Sequence, residues 1–269
     1  MIANKNLESL RETNFHKLDF TQFQKHYLVE LLFEEDVNTR TRITHDVFVK
    51  TIDKLNNDLY VISVVQWNFL VNNAKPDLIF EQLAEKCHRP LENLVYYVNK
   101  DWQVVGIQNH NEIVNKWRIQ REKMEQEYTG EIFTKYIDMH EAVIINYEVL
   151  LHKLKQATFT SQFFYPVYKA SSVGQVINQK EVVNFLNINY EFDLDLYTSL
   201  KELAEKREII IIDKKINDEE NRNLQMPVDE YHVKYELAND LTINNVVGIF
   251  KNHHRKLTFT IVEKSDIEA

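Results

Sequence analysis

Alternation of apolar and polar residues marks the first quarter of the chain as β-strands. The segments 27–33, 41–54 and 58–71 are rich in β-branched and aromatic residues, and in the last of them six apolar residues recur at period two. These positions are Leu59, Val61, Val65, Trp67, Phe69 and Val71. Asn56-Asn57 separates the last two segments, and asparagine tolerates the left-handed backbone of a tight turn. The pattern predicts an antiparallel meander.

After these strands, the spacing of apolar residues becomes mainly helical. A short helix is predicted from Pro76 to about Lys86, then a hairpin around Asn99–Asp101. A long helix is predicted from Asn111 to Gly130, which can end it with a positive φ. Beyond it, apolar residues alternate at spacings of four and three, which predicts a second long helix. This stripe contains Phe133, Ile137, His140, Ile144, Tyr147, Leu151 and Leu154. The short break between the two helices predicts an αα-hairpin.

Strand-like segments return in the last third of the chain, at 182–192, 208–216, 231–237, 241–250 and 256–263, with a charged loop at 217–226. The fold class is therefore α+β, mainly antiparallel β-sheet with a long central αα-hairpin packed on one face. The predicted regions are a β-meander with a short helix (1–110), the αα-hairpin (111–160) and a C-terminal β region (161–269). One continuous domain is favoured, although two small sheets joined by the helices would give the same order.

Composition removes several classes of enzyme. Only 4 of the 269 residues are glycine, and no two of them are close enough to form a phosphate-binding loop, a dinucleotide turn or a nucleophile elbow. The net charge of −9 argues against nucleic-acid binding through a general positive field. The hydrophobic fraction of 44% is sufficient for a substantial core.

Cysteine content and the chain's start indicate a compartment. A single cysteine, Cys87, can form neither an intrachain disulfide nor a thiolate metal site. The first residues lack the apolar segment of a signal peptide, and no stretch is as apolar as a membrane span. We therefore expect a cytoplasmic, bacterial protein.

Histidines are the first candidates for chemistry. His140 lies on the apolar stripe near acidic residues and could act as a general base or metal ligand, but no second ligand follows at helical spacing, which favours a core histidine. Cys87-His88 are adjacent, so their side chains diverge and do not form a nucleophile–base pair. His253-His254 lack a third metal ligand and are typical of a solvated turn.

Two further groups are candidate binding residues. Arg40 and Arg42 fall on one face of a strand and could grip an anion. An aromatic string follows the predicted hairpin and could form the mouth of an apolar pocket, although core packing would use the same residue types. It contains Phe163, Phe164, Tyr165 and Tyr168.

Three functions remain open. The favoured one is a non-catalytic interaction module, an adaptor or an immunity-type inhibitor, which binds a protein partner through an acidic, aromatic-bearing surface. The alternative is a carrier or sensor that holds a small apolar ligand between sheet and hairpin. The third is a hydrolase-type enzyme centred on His140. We expect no cofactor, no metal and no nucleic-acid partner.

Overall fold

The protein forms one antiparallel sheet, and most of its described helices are inserted in the chain between the fifth and sixth strands. The computed structural model describes residues 20–35, 39–55, 59–167, 174, 176–185, 188–202, 208–216, 228–238, 240–253 and 255–264. The strands are β1 (Gln24–Glu35), β2 (Thr39–Leu55), β3 (Leu59–Val71), β4 (Asn93–Val98), β5 (Val104–Ile107), β6 (Val176–Phe185), β7 (Ile188–Glu202), β8 (Glu208–Ile216), β9 (Glu230–Leu237), β10 (Ile243–Asn252) and β11 (Arg255–Glu263). Their order in the sheet is β5-β4-β3-β2-β1-β11-β10-β9-β8-β7-β6.

Five α-helices accompany this sheet in the described residues. They are α1 (Ile79–His88), α2 (His110–Glu127), α3 (Glu131–Ile144), α4 (Tyr147–Gln156) and α5 (Thr158–Phe163). Among the described helices, none combines the length and the apolar character that crossing a bilayer requires.

Two meanders meet at the centre of the sheet. Strands β1 to β5 form one run of antiparallel neighbours and β6 to β11 the other, and the pairing of β1 with β11 joins them. In that pair Leu31 lies opposite Phe259. One sheet, rather than two small ones, therefore contains strands from both ends of the chain.

Strand alternation gives the sheet one buried face, which we call the inner face. Tyr27 and Val29 of β1 and Phe259 and Ile261 of β11 are buried on it. Because successive side chains of a strand point to opposite faces, the residues between them lie on the outer face. Gly248 of β10 is also on the inner face, where the ring of Phe259 occupies the space that a side chain would need.

The sheet curls strongly. Eleven flat strands would place the two edge strands about 48 Å apart, at roughly 4.8 Å a spacing. Yet Val104 of β5 and Glu181 of β6, the two edges, line the same cleft. The sheet therefore forms an incomplete barrel that stays open between β5 and β6.

The short helix α5 fills the interior of this barrel with aromatic side chains. Phe163 is fully buried and its ring contacts those of Tyr27 and Trp102, at centroid separations of 5.0 and 6.0 Å. The Trp102 indole N–H donates to the carbonyl of Phe163 at 3.0 Å. The interior is thus a solid aromatic core on the side of the first meander.

Most predicted strands are confirmed, with one clear error. The first three agree with β1, β2 and β3 to within a few residues. The segment 182–192 was predicted to be one strand, but it contains the end of β6 and the start of β7. Apolar residues recur through this hairpin without glycine or proline, so no turn was predicted, although their phase shifts between Phe185 and Ile188. The predicted turn at Asn56-Asn57 and the whole of the loop 217–226 lie outside the described residues.

The helical region differs from the prediction in one place. The stripe from Phe133 to Leu154 is divided between α3 and α4 at Asn146, whose side chain accepts the N–H of Val149 at 3.2 Å and so caps α4. Because α4 is a separate helix, the phase of the predicted stripe does not continue into it. Leu150 is therefore buried, whereas Leu151 of the stripe is half-buried.

Helices α2 and α3 lie against each other. Arg121 of α2 pairs with Asp138 and Glu141 of α3, and Trp117 stacks on His140. The closest helix-to-strand packing, however, is that of α4 on β5 and of α5 on β10 and β11. A central hairpin that covers one sheet face therefore stays a prediction.

Candidate functional site

A cleft opens where the sheet fails to close, and we call it the seam cleft. It has a volume of about 390 Å³ and lies between the edges β5 and β6, with the end of α5 beneath it. Its lining includes Val104, Thr160, Phe164, Tyr165, Gln179 and Glu181. Apolar and polar side chains thus share the lining about equally, and the polar ones include Lys155 and Lys180.

A smaller cavity of about 70 Å³ adjoins the seam cleft. Both are lined by Lys155, Ser161 and Glu181, so these residues lie at the junction. The small cavity also contacts Gln162 and Tyr231. It has room for a polar group of a few atoms.

A polar cluster stands beside these spaces on the otherwise apolar inner face, and we call it the Lys214 cluster. It consists of Lys214, Glu181, Gln162, Tyr165, Tyr231 and Tyr235. The Lys214 ammonium donates to Oε1 of Glu181 and to Oε1 of Gln162, at 3.2 Å each. It also lies 3.7 Å from the centroid of the Tyr165 ring, within the range of a cation–π contact. The Tyr235 hydroxyl donates to the same Gln162 oxygen at 3.1 Å.

Burial determines the electrostatics of the cluster. The Lys214 side chain has no exposed surface, and this loss of hydration lowers its pKa, while the neighbouring Glu181 carboxylate opposes the shift. Burial also raises the pKa of Tyr165 and, well above its usual range, that of Tyr231. Both tyrosines therefore keep their protons at neutral pH.

Three atoms of the cluster have unused hydrogen-bonding capacity. Oε2 of Glu181 and the hydroxyls of Tyr165 and Tyr231 are buried and form no hydrogen bond of normal geometry within the described part of the chain. Glu181 still acts on the pKa of Tyr165, and Gln162 on that of Tyr231, as hydrogen-bonding neighbours. A buried polar atom without a partner costs about 1 to 3 kcal/mol. Such atoms beside a cavity point to a group that occupies it, either water or part of a ligand.

The sequence analysis did not identify Lys214, because the sequence carries only a weak signal for its burial. In β8, Ile210 and Ile212 are buried and Lys214 continues their phase, but Ile211 between them is equally buried, so no alternation is evident. A lysine in phase with buried isoleucines is a buried lysine, and buried lysines need a partner. Its partner Glu181 comes from another strand, which the sequence does not show.

The aromatic string divides between core and cleft. Phe163 belongs to the aromatic core, Phe164 contacts both that core and the seam cleft, and Tyr165 lines the cleft beside Lys214. Tyr168 lies outside the described residues.

The two arginines are already bound to carboxylates. Arg40 pairs with Glu34 at 3.0 Å, and Arg42 pairs with Glu30 at 2.5 Å, across the β1–β2 ladder. Both lie on the outer face, and an anion would have to compete with these neighbours. The structure does not bring them near the seam cleft.

His140 occupies a helix interface. Its Nδ1 lies 3.0 Å from the carbonyl of Tyr136 in the preceding turn, and its ring is half-buried. The acidic residues that sequence analysis placed near it, Asp138 and Glu141, pair with Arg121.

Cys87 and His88 point to different neighbours. Burial raises the pKa of the Cys87 thiol to about 12, so it stays protonated. His88 packs its ring edge on Phe69. His253 lies 3.5 Å from Asp229, and His254 lies outside the described residues. In the described ranges, no three His, Cys, Asp or Glu side chains are grouped as a metal site requires.

Comparisons with known proteins identify no family. No protein-family model matches the chain, and no characterised protein is significantly similar in sequence. A solved structure of lipovitellin, described as showing lipid–protein interactions, is similar over 92% of this chain with 7% identity and a TM-score of 0.46. The chain spans only 26% of the lipovitellin chain.

A second solved structure is that of the hypothetical lipoprotein YmcC from Escherichia coli K12. It is similar over 99% of this chain and 95% of its own, with 7% identity and a TM-score of 0.30. Both similarities are too weak to assign a function, which has to be inferred from the geometry of the chain itself.

Proposed function

We propose that the protein is a carrier that holds a small, largely apolar ligand in the seam cleft. The observation that supports this most directly is that the two edge strands line one cleft without pairing with each other. Closing the sheet would satisfy the free backbone groups of both edges. A sheet that curls this far and still stays open leaves a lined entrance to its interior.

The size and lining of the cleft fit this role. Ligand pockets commonly have volumes of roughly 300 to 1,000 Å³ and combine apolar walls with a few polar groups. The seam cleft, at about 390 Å³, lies within that range. Val104, Phe164 and Pro166 supply apolar surface, and Gln179 and Glu181 supply polar groups. The ligand therefore lies between the strand edges and α5, rather than under a helical hairpin.

A substitution that fills the cleft tests the proposal. Gln179 is half-buried on the inner side of edge strand β6, so Gln179→Trp should occupy part of the cleft and weaken binding of the apolar fluorophore N-phenyl-naphthylamine by about tenfold, or 1.4 kcal/mol. The measurement is a fluorescence titration.

The matched control is Asn178→Trp, which adds the same ring to the exposed opposite side of β6. It should bind the fluorophore as the unmodified protein does. Equal affinities for the protein and Gln179→Trp, or no binding to either, would contradict the carrier proposal.

A second candidate is the protein-interaction module. At the start of α1, Leu78, Ile79 and Phe80 are exposed in succession, with 63%, 67% and 73% of their surfaces accessible. A run of exposed apolar side chains typically marks a contact surface. The net charge of −9 would steer a basic protein partner towards it.

This candidate predicts that Phe80→Ser abolishes partner capture. Immobilised protein would be incubated with an extract of its source organism at low salt, and retained proteins would be compared with those of Val247→Ser, which removes an exposed apolar side chain of the sheet's outer face. Capture should also fall as salt is raised, because screening shortens the reach of the charges. Equal capture by both variants would contradict this second candidate.

A further inference from the structure

The junction between the seam cleft and the small cavity carries unused donors and acceptors. Glu181 lines both spaces, and its Oε2 has no hydrogen-bond partner in the described ranges, while Oε1 accepts from Lys214. The Tyr231 hydroxyl, also without a partner there, belongs to a side chain that lines the small cavity and is only 4% exposed. Two side chains that line the small cavity therefore each carry a buried polar atom without a partner.

The cluster offers this space no uncompensated charge. The Lys214 ammonium donates to Glu181 and Gln162 and faces the Tyr165 ring, so its positive charge is balanced within the cluster. The free oxygen of Glu181 belongs to that neutral pair. Because burial keeps the pKa of Tyr231 well above its usual value, its hydroxyl retains a proton to donate.

Three kinds of head group can be compared at this position. A carboxylate would bring a second negative charge against Glu181, and like charges repel strongly where water is scarce. Lys155 also lines both spaces, but its side chain is exposed, so its hydrated ammonium offsets little of that repulsion. An ammonium would pair with Glu181 but lie near the Lys214 ammonium. A hydroxyl requires no charge compensation and can both donate and accept.

We propose that the ligand's head is an uncharged hydroxyl that enters the small cavity, donates to Oε2 of Glu181 and accepts from the Tyr231 hydroxyl. This inference rests on the carrier function proposed above and specifies its ligand as an alcohol with an apolar body. The apolar body of the ligand lies in the seam cleft, against Val104 and Phe164.

Three ligands with one tail test the head-group preference. Dodecanol, dodecanoate and dodecylammonium would each compete with bound N-phenyl-naphthylamine at about pH 7.5. Dodecanol should bind at least about tenfold more tightly than dodecanoate, since tenfold corresponds to about 1.4 kcal/mol and a charge buried without a partner costs at least that much.

Two variants assign the preference to named groups. Glu181→Gln removes the negative charge and leaves Lys214 positive, so the order of dodecanol and dodecanoate should invert. Tyr231→Phe keeps the aromatic ring near Lys214. It should weaken the binding of dodecanol about fivefold and leave the binding of dodecanoate unchanged. Urea midpoints would show that each variant is folded, and Tyr231→Phe remains informative if Glu181→Gln does not fold.

The outcomes separate the two proposals. Equal affinities for the three ligands, or tighter binding of dodecanoate by the unmodified protein, would overturn the hydroxyl preference and leave the carrier function standing. If the fluorophore did not bind and none of the three ligands displaced it, both the carrier function and the hydroxyl preference would be overturned.

Discussion

Lowering the pH from about 7 to about 4.5 is expected to destabilise the protein by roughly 3 to 6 kcal/mol, because the buried His45 and the half-buried His88, whose Nε2 is buried, must then take up protons. His45 is 5% exposed and stacks on Phe69 at a centroid separation of 4.7 Å. The ring edge of His88 packs on the same phenyl ring. Both ring nitrogens of His45 and Nε2 of His88 are buried without a partner in the described part of the chain.

The direction of this change in stability with pH follows from the pKa values of the histidines in the folded and unfolded chain. Burial lowers the pKa of His45 from 6.5 to about 4, with a further contribution from His88 that Asp46 opposes, and burial lowers the pKa of His88 to about 4 as well. Between these values the unfolded chain binds more protons than the folded one. The stability is therefore complete above about pH 6.5 and is lost as the pH falls towards 4. A shift of this size is equivalent to about 3 kcal/mol for each histidine.

Urea denaturation at a series of pH values measures this loss. His45→Phe should remove about half of the pH dependence between pH 6.5 and 4.5, because one of the two histidines no longer titrates. His152→Gln replaces an exposed histidine of α4 and should leave the pH dependence unchanged. A protein whose urea midpoint did not change over this interval would show that the histidines are hydrated.

Phe163→Ala should reduce the free energy of unfolding by about 3 to 5 kcal/mol, the usual cost of removing a buried phenyl ring. The Phe163 ring is enclosed by Tyr27, Trp102, Phe159 and Phe164, so its neighbours have little freedom to fill the space. The substitution keeps the backbone carbonyl that accepts from Trp102.

Phe80→Ala is the matched control for this substitution. It removes the same ring from a position that is 73% exposed, and its effect should lie within about 0.5 kcal/mol. Urea midpoints of both variants at about pH 7.5 measure the difference. A loss of less than about 1 kcal/mol for Phe163→Ala would show that α5 is not held in the core.

Sequence patterns predict the strands of this fold better than its site. The β-branched and aromatic residues of 41–54 predict β2, but Phe48 lies between Val47 and Val49, so the buried face of this strand is not evident from the sequence. His45, Val47 and Val49 share one phase of the strand and are all buried. The site needs more, because the contact of Glu181 with Lys214 crosses from β6 to β8 over the intervening β7 and so depends on how these three strands are paired.

The aromatic string shows what local sequence patterns cannot predict. Phe163 and Tyr165 are only two residues apart and chemically similar, yet one lies in the core and the other beside the seam cleft. The orientation of α5 decides between these environments, and that orientation depends on contacts with β10 and β11. Helix propensity within the six residues of α5 carries no information about it.

The pairing of β1 with β11 has a consequence for the order in which the chain acquires its structure. Every other ladder joins strands that follow each other in sequence, so each meander can form from local contacts, whereas Leu31 meets Phe259 only after nearly the whole chain has been synthesised. Contacts between such distant residues are slow to form because the intervening chain must lose its conformational freedom first. On the ribosome, the edge of β1 that pairs with β11 therefore stays unpaired until β11 emerges, and during that time it can associate with other nascent chains.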